Sequence, residues 1–292
     1  MKAAAFSYVR PKRLTEVLQL LKEHGDEVRL LAGGQTLLAT LNMRLSEPAL
    51  LIDLQSVTEL KELSVQGNFL RIGALVTHTE IEDSALVALH TPLLRAAAPH
   101  IAHRAIRNLG TLGGSIAYGD PAAEWPACLL ALNGVVVVRN LKAERRIAAD
   151  EFFTGLYTTA LATDEIIVAC EFPVFQTGQV FHFSELARRH GDYAVVGLAA
   201  SALVNDGRMS SVRLAWLGVG STPVRSVAAE QALKDQPLNA DSLAKAVAEL
   251  RNELQPLPDL THSEAAKRQM ASVLLKRALQ TWMPLSLQAA VA

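Results

Sequence analysis

The sequence has very few cysteines: only Cys128 and Cys170 occur among its 292 residues, and both have apolar neighbours. A thiolate zinc site or an iron–sulfur cluster requires about four such ligands, so the cysteines of this chain hold neither by themselves. Two isolated thiols do not indicate a disulfide framework either, and this favours a reducing compartment.

The sequence also lacks a basic surplus, a long apolar stretch and a signal peptide, and each absence argues against one class of protein. The 28 basic residues are balanced by 29 acidic ones, for a formal net charge of -1, whereas nucleic-acid binding through phosphates requires a basic surplus. The longest apolar stretch, 127–138, is interrupted by Asn133 and Gly134 and is far shorter than the ~20 residues of a membrane span. The first residues contain no apolar segment of signal-peptide length. We therefore expect a cytoplasmic protein that binds no nucleic acid and crosses no membrane.

What the sequence does contain is the composition of a folded protein, 50% hydrophobic and 20% charged, at a length that favours two domains. Strand-like and helix-like segments alternate from residue 6 to residue 53, which predicts a βαβαβ beginning and an α/β unit. Further strands are predicted at 69–74, 135–138 and 166–172, with a mainly helical stretch at 77–108.

The second part of the chain has a different pattern, after a polar segment at 176–179 that is typical of a linker. Residues 193–204 and 212–219 alternate in polarity, which predicts antiparallel strands joined by an Asn-Asp-Gly turn at 205–207. Strands followed by helices indicate a separate α+β domain from about residue 178. The predicted helices lie at 226–233, 242–254 and 263–282.

Two glycine pairs are the most informative pattern in the sequence. Gly33 and Gly34 lie between a predicted buried strand and a helix that begins near Thr36, and the second pair is Gly113 and Gly114. Glycine allows a positive φ and a close approach of the backbone to a ligand, and free N–H groups at a helix start bind anions such as phosphate. Two such segments fit a diphosphate bound from both sides, although either pair alone is also typical of a tight turn.

Neither pair matches the common nucleotide-binding motifs. No G-x-G-x-x-G connects a strand to a helix, which argues against a Rossmann dinucleotide site, and no G-x-x-x-x-G-K-[ST] phosphate loop is present. The sequence also lacks a G-x-S-x-G nucleophile elbow and an H-E-x-x-H zinc motif.

Seven segments, taken in order, resemble a known family. They lie at 32–36, 72–78, 107–115, 120–124, 164–167, 188–193 and 218–223. Together they are similar to the FAD-binding medium subunits of the molybdenum hydroxylases, the family of carbon monoxide dehydrogenase and xanthine dehydrogenase. The resemblance extends over nearly the whole chain. It implies an α+β fold with a PCMH-type FAD-binding domain of two α/β subdomains at 1–177, followed by a CO-dehydrogenase flavoprotein C-terminal domain at 178–285.

The same resemblance implies the site residues. The FAD pyrophosphate is expected at the two glycine segments, 32–36 and 111–115. Glu124, where the family usually has Asp, is expected at the ribityl chain or the part that adjoins it. Ile166 or Ile167 is expected to pack on the isoalloxazine, with Tyr193 near the ring. The predicted cofactor-binding residues are Ala32, Gly33, Gly34, Gln35, Thr36, Thr111, Leu112, Gly113, Gly114, Ser115, Glu124, Ile166, Ile167 and Tyr193.

The resemblance also implies partner subunits. In the family, a large subunit with a molybdenum–pterin cofactor hydroxylates the substrate, and a small subunit with two [2Fe–2S] clusters relays the electrons. The FAD of this chain is then expected to collect these electrons and to reduce an external acceptor, in a dimer of heterotrimers. No catalytic residue and no metal ligand is expected on this chain.

Other readings of the residues stay open. A stand-alone flavin oxidase or dehydrogenase would need its own substrate pocket and acid/base pair, and a scaffold subunit without FAD would not need the glycine segments. His78, at a strand-to-helix junction, is predicted to have a capping or polar role rather than a flavin contact. A core strand position is the alternative for Tyr193, and packing is the simplest role for Trp125. His100 and His103 are not expected to bind a metal, because no carboxylate lies beside them on the helix.

Overall fold

The computed structural model describes residues 2–283. Within this range the strands form sheets of three, five and four strands and one two-stranded hairpin. The strands are β1 (Ser7–Val9), β2 (Val28–Leu31), β3 (Leu50–Asp53), β4 (Leu63–Gln66), β5 (Phe69–Gly73), β6 (Val135–Arg139), β7 (Glu144–Ala148), β8 (Phe153–Gly155), β9 (Thr158–Thr159), β10 (Ile166–Pro173), β11 (Gln179–Leu186), β12 (Val196–Asn205), β13 (Arg208–Leu217) and β14 (Val224–Arg225).

Helices connect and cover these sheets, together with short 3₁₀ turns at Gly25–Glu27, Thr58–Leu60 and Ala98–His100. The helices are α1 (Leu14–His24), α2 (Leu37–Asn42), α3 (His78–Asp83), α4 (Ala85–His90), α5 (Pro92–Ala97), α6 (Arg104–Arg107), α7 (Leu112–Tyr118), α8 (Glu124–Ala131), α9 (Ala149–Phe152), α10 (Val227–Leu233), α11 (Ala240–Glu253) and α12 (Glu264–Trp282).

The first sheet is parallel, in the order β1-β3-β2. Helix α1 buries Leu14, Val17, Leu18 and Leu21, the spacing of one helix face, and ends at Gly25, which has a φ of 52°. The predicted βαβαβ beginning is confirmed. The carboxyl end of β2 therefore leads directly into the first glycine segment.

The second sheet is antiparallel, in the order β4-β5-β10-β6-β7, with β10 at its centre. The sequence predicted β5, β6 and β10 but not the edge strands β4 and β7, whose exposed residues give little apolar signal. The predicted helical stretch at 77–108 is present as four short helices, α3 to α6. Ser84 ends α3 and caps α4, and Pro92 begins α5.

The third sheet is antiparallel, in the order β11-β12-β13-β14, and α10 to α12 pack on it in one apolar cluster. Asp206 and Gly207 join β12 and β13 with φ angles of 50° and 71°, as a tight hairpin requires, so the predicted turn is confirmed. The linker prediction was wrong at its end, because Gln179 begins β11. The strand predicted from Tyr193 begins only at Val196, and Tyr193 itself lies in the loop after β11.

Helix α8 lies between the second and third sheets. All of its residues from Trp125 to Ala131 are buried, as expected for a helix that is apolar on every side. Two residues of the third sheet donate hydrogen bonds to the last carbonyl groups of α8. Ser201 Oγ donates to Ala131 O at 2.6 Å, and Arg213 Nε donates to Leu130 O at 2.6 Å. Among the described residues, no helix combines the length and the apolar character that a membrane crossing requires.

Candidate functional site

A cleft of about 610 Å³ lies between the first and second sheets, and the loop between β11 and β12 also lines it. Its volume is within the range of small-molecule sites, roughly 300–1,000 Å³. The segment after β2 forms one wall, α7 and the start of β10 form another, and the loop after β11 reaches its mouth. Of the predicted cofactor residues, thirteen line it: Ala32, Gly33, Gly34, Gln35, Thr36, Thr111, Gly113, Gly114, Ser115, Glu124, Ile166, Ile167 and Tyr193.

The first glycine segment presents unbonded backbone donors to the cleft. The N–H groups of residues 33–37 have no hydrogen-bond partner among the described residues, and all five of these residues line the cleft. Gly34 has a φ of +73°, which confirms the predicted need for glycine at this position. This segment thus has the free donors that an anion requires.

The second glycine segment is built differently. The N–H groups of Leu112 and Gly113 donate to Val76 O and Ala74 O, at 3.0 and 2.9 Å. Those of Gly114 and Ser115 donate to Thr111, at its hydroxyl and its carbonyl. The expectation of free amides in this segment was wrong for residues 112–115, because a tertiary pairing and the helix cap use them. The segment offers hydroxyl groups instead.

Leu112 is the one predicted residue outside the cleft lining. Its side chain is fully buried in the apolar cluster of the second sheet, beside Ile116 and Trp125. Its N–H group is bonded to Val76, so neither its side chain nor its amide is directed to the cleft. The next residue, Gly113, lines the cleft but leaves no room for a side chain, since a Cβ there would lie 2.4 Å from Ala74 Cβ.

The first glycine segment packs closely against the second segment and the two residues just before it. A Cβ at Gly33 would lie 2.0 Å from Leu109 O and 2.8 Å from Gly110 Cα. On the other side, a Cβ at Gly114 would lie 3.7 Å from Ala32 Cβ. Gly33 is therefore required for contact between two parts of the protein, whereas Gly34 is required for its own backbone angle.

Carboxyl groups occupy another part of the cleft. Glu124 begins α8, and burial together with the Glu185 carboxylate raises its pKa to about 8. Glu185 is itself buried, with Oε1 3.5 Å from His100 Nδ1 and Oε2 without a partner among the described residues. Burial also raises the pKa of Asp120, whose Oδ1 accepts from Ala122 N–H at 2.9 Å. Near neutral pH, Glu124 is thus mostly protonated and able to donate a hydrogen bond.

Apolar and aromatic groups complete the lining. Ile166 and Ile167 begin β10 and are both buried. Tyr193 is 67% exposed in the loop after β11, so the alternative of a core strand position was wrong. The sequence did not single out Tyr118 or Tyr157 for the cleft, although both line it and their ring centroids lie 5.0 Å apart.

His78 is the second group that the sequence did not assign to the cleft. The helix cap is its neighbour Thr77, whose hydroxyl accepts from Glu80 N–H, so of the predicted capping or polar role of His78 the polar one applies. Its imidazole is buried, lines the cleft and accepts a hydrogen bond from the indole N–H of Trp125 at 2.9 Å. Residues 2–283 contain no group of His, Cys, Asp and Glu side chains that fits a metal ion.

Comparison with known proteins identifies the family. A family model described as the FAD binding domain in molybdopterin dehydrogenase matches residues 4–175, and the CO dehydrogenase flavoprotein C-terminal domain matches residues 181–282. The chain is 39% identical to the nicotine 6-hydroxylase medium subunit of Paenarthrobacter nicotinovorans, over 96% of this chain and 98% of that relative. It is 32% identical to the carbon monoxide dehydrogenase medium chain of Hydrogenophaga pseudoflava, over 94% and 96%.

Solved structures give the same result. The fold superimposes with a TM-score of 0.92 on carbon monoxide dehydrogenase from Hydrogenophaga pseudoflava that lacks the Mo-pyranopterin moiety of its cofactor, at 33% identity and full coverage of both chains. For quinoline 2-oxidoreductase from Pseudomonas putida 86 the TM-score is 0.90 at 34% identity, over 100% and 99% of the chains.

The fold and the cleft therefore define a flavoprotein of the oxidoreductase class, with an FAD-binding domain on this chain. The chain belongs to the FAD-binding medium subunits of the molybdenum hydroxylase family.

Proposed function

We propose that this chain is the electron-transfer subunit of a molybdenum hydroxylase. It takes electrons from the [2Fe–2S] clusters of a small partner subunit and passes them to an external acceptor, while a large subunit with the molybdenum–pterin cofactor hydroxylates the substrate. The observation that carries the proposal is the set of five unbonded N–H groups at 33–37, which line a cleft between the first and second sheets.

The donor set of the cleft fits the diphosphate of FAD. Among the lining residues that the structure describes, Arg29 alone carries a positive charge, and its guanidinium donates to the carbonyls of Asp26 and Val28. A diphosphate here is therefore bound mainly by backbone N–H groups, as at other helix starts that bind phosphate. The hydroxyls of Thr111 and Ser115 are the complementary donors from the second glycine segment.

The remaining lining fits the rest of the cofactor. Ile166 and Ile167 supply an apolar wall for the isoalloxazine, Tyr193 supplies a ring at the mouth, and the neutral Glu124 supplies a donor. FAD supplies the redox chemistry when it is bound, whereas the chain binds, orients and shields it. The proposed contact residues are thus the thirteen lining residues, without Leu112.

The partner subunits and the cellular compartment that we propose are based on the family and on the cysteines. The relatives are named as medium subunits or chains, which supports an assembly with a small and a large subunit, and we propose a dimer of heterotrimers. Cys128 and Cys170 are both free and buried, which supports a reducing compartment such as the cytoplasm.

We further propose that the chain divides into domains at 1–177 and 178–285, of which residues 1, 284 and 285 lie outside the described range. The matches of two family models, ending at 175 and beginning at 181, support this division. So does the start of a separate antiparallel sheet at Gln179.

The proposal is tested by isolating the full chain alone and together with its small and large partners. Flavin absorbance and the mass of the released cofactor are measured in both preparations. Stoichiometric FAD, reduced by substrate only in the assembled complex, is the expected result. A folded chain without FAD in both preparations would indicate a scaffold, and reduction by substrate without partners would indicate a stand-alone flavin enzyme.

A further inference from the structure

His78 has a fixed position at the junction of the two glycine segments. It is the first residue of α3, and its side chain is only 6% exposed. Its Nε2 atom packs beside Gly110, because a Cβ at Gly110 would lie 2.6 Å from it. The backbone N–H of His78 donates to Gly110 O at 2.9 Å, so both the ring and the backbone of His78 contact the residue that directly precedes the second glycine segment.

The partner of the ring determines its tautomer. An indole N–H is only a donor, so the 2.9 Å bond from Trp125 Nε1 requires Nδ1 of His78 to accept. The proton of the neutral ring is then on Nε2. Burial and the nearby Arg107 guanidinium lower the pKa of His78 to about 3, which keeps the ring neutral at physiological pH. Arg107 is itself paired with Glu82 at 2.8 Å.

The Nε2–H group has no hydrogen-bond partner among the described residues, and His78 lines the cleft. Nε2 is not fully enclosed by the protein, so its N–H reaches the open space of the cleft, where a bound ligand can accept a hydrogen bond from it. Because the ring is neutral, it adds no charge to a lining that also contains Asp120, Glu124 and Glu165. Its natural partner is an uncharged acceptor, such as a hydroxyl or carbonyl oxygen or a ring nitrogen.

We propose that His78 is a further cofactor-binding residue, which donates a hydrogen bond from Nε2 to an uncharged acceptor of FAD, and that Trp125 is the positioning residue that holds this tautomer. This inference rests on the proposed binding of FAD in the cleft.

The first test measures the affinity of the FAD-free full chain for FAD through flavin fluorescence. His78→Phe removes the donor but keeps a ring, and we expect its affinity to fall about three- to tenfold, the value of one neutral hydrogen bond. His78→Gln, which can again present an N–H near the Nε2 position, should recover most of the loss, whereas His78→Asn should not. His24→Gln, on α1 and outside the lining, is the matched control.

The second test observes the ring directly, in the chain with ¹⁵N-labelled histidine. Long-range ¹H–¹⁵N spectra are expected to show His78 neutral and protonated on Nε2 at every pH from 5 to 9. Even the lowest pH of this range lies roughly two units above the pKa of the ring. The Nε2–H signal should shift when FAD is added. Trp125→Phe should give a mixture of tautomers and a smaller loss of FAD affinity than His78→Phe.

The outcomes separate the two proposals. A wild-type chain that binds no FAD, either alone or together with its partners, would contradict the proposed function. Wild-type chain that binds FAD, with a folded His78→Phe variant of equal affinity or a ring protonated on Nδ1, would overturn the role of His78 alone. If His78→Phe does not fold, the tautomer of the wild type and the response of its Nε2–H signal to FAD decide the question.

Discussion

The two glycine segments have similar sequences but different structures. At 33–37 the backbone donors are unbonded and line the cleft, whereas at 112–115 each N–H group is bonded to Ala74, Val76 or Thr111. Gly34 is required by its φ of +73°, but neither Gly113 nor Gly114 has a positive φ. A Gly-Gly pair therefore indicates that the backbone closely approaches another group. Only the hydrogen bonds of the pair show whether this group is a ligand or another part of the protein.

The largest expected effect tests the contact between the two segments. Gly33→Ala places a methyl group 2.0 Å from Leu109 O, a clash between backbones that no rotamer relieves. We expect the free energy of unfolding of the FAD-free chain to fall by about 3 kcal/mol or more, measured by denaturant unfolding. Gly67→Ala is the control, because Gly67 has a φ of +60° but open space around it, and backbone strain alone costs about 1–2 kcal/mol. Equal losses for the two variants would contradict the contact.

The second prediction concerns charge at the carboxyl end of the cleft. The pKa of Glu124 is about 8 in the folded chain, against 4.5 ordinarily, so the folded state holds more protons between these two values. The free energy of unfolding of the FAD-free chain should therefore fall as the pH rises from 4.5 to 8. Glu124→Gln should remove this fall and be more stable than wild type above pH 8, by at least about 1.4 kcal/mol, the equivalent of one pKa unit.

Glu165 is the matched control, since it lines the same cleft but is paired with Arg145, which lowers its pKa. Its stabilising effect is present above pH 4.5 and is lost as the pH falls through the lowered pKa. Glu165→Gln should thus be slightly less stable than wild type at neutral pH, by less than about 1 kcal/mol. A Glu124→Gln variant with the pH profile of the wild type would show that Glu124 is ionised in the fold.

The third prediction compares the glycines that face the cleft. Gly34→Val imposes a β-branched side chain on a positive φ and should weaken FAD affinity by more than about tenfold, since more than 1.4 kcal/mol of strain and lost contacts is expected. Gly114→Val should weaken it less, because the N–H of Gly114 is already bonded to Thr111. FAD released from the purified variants measures both effects. A folded double variant with full FAD content would remove the glycine segments from the site.

The smallest expected effect separates the two helix starts. Thr111 caps α7 by accepting from Gly114 N–H at 3.1 Å, whereas the Thr36 side chain makes no such bond at the start of α2. Thr111→Ala should therefore lower the free energy of unfolding by about 1 kcal/mol. Thr36→Ala should change it by less than about 0.5 kcal/mol. Thermal unfolding of both FAD-free variants, in parallel with wild type, decides whether the caps differ as the hydrogen bonds indicate.

The elements that local sequence determines were predictable. Helix α1 has one apolar face and ends at a glycine, and the hairpin at Asp206 and Gly207 follows from its turn residues. The strands β4, β7, β8, β9, β11 and β14 were missed, because each is short or lies at the edge of its sheet and none is buried throughout. The predicted start of the strand at Tyr193 was wrong by three residues, because the loop before β12 and the strand itself have a similar composition.

Most residues that line the cleft could be predicted from the sequence, but their hydrogen bonds, pKa values and tautomers could not. The acceptors of the second segment, Ala74 and Val76, lie more than thirty positions earlier in the chain. The pKa of Glu124 depends on Glu185, and the tautomer of His78 depends on Trp125. Each of these pairs forms only when the sheets assemble, so no local sequence pattern predicts it.

The buried helix α8 has a consequence for how the chain is made. Ser201 and Arg213, which bind its terminal carbonyls, belong to strands that the ribosome adds well after the helix. At synthesis rates of about 5–20 residues per second, the roughly 85 residues between α8 and the end of β13 take on the order of 4–17 s. During that interval an apolar helix has no cover from the third sheet. The nascent chain is then a natural client for chaperones, and a fragment that ends before β12 would expose the same surface permanently and associate with itself.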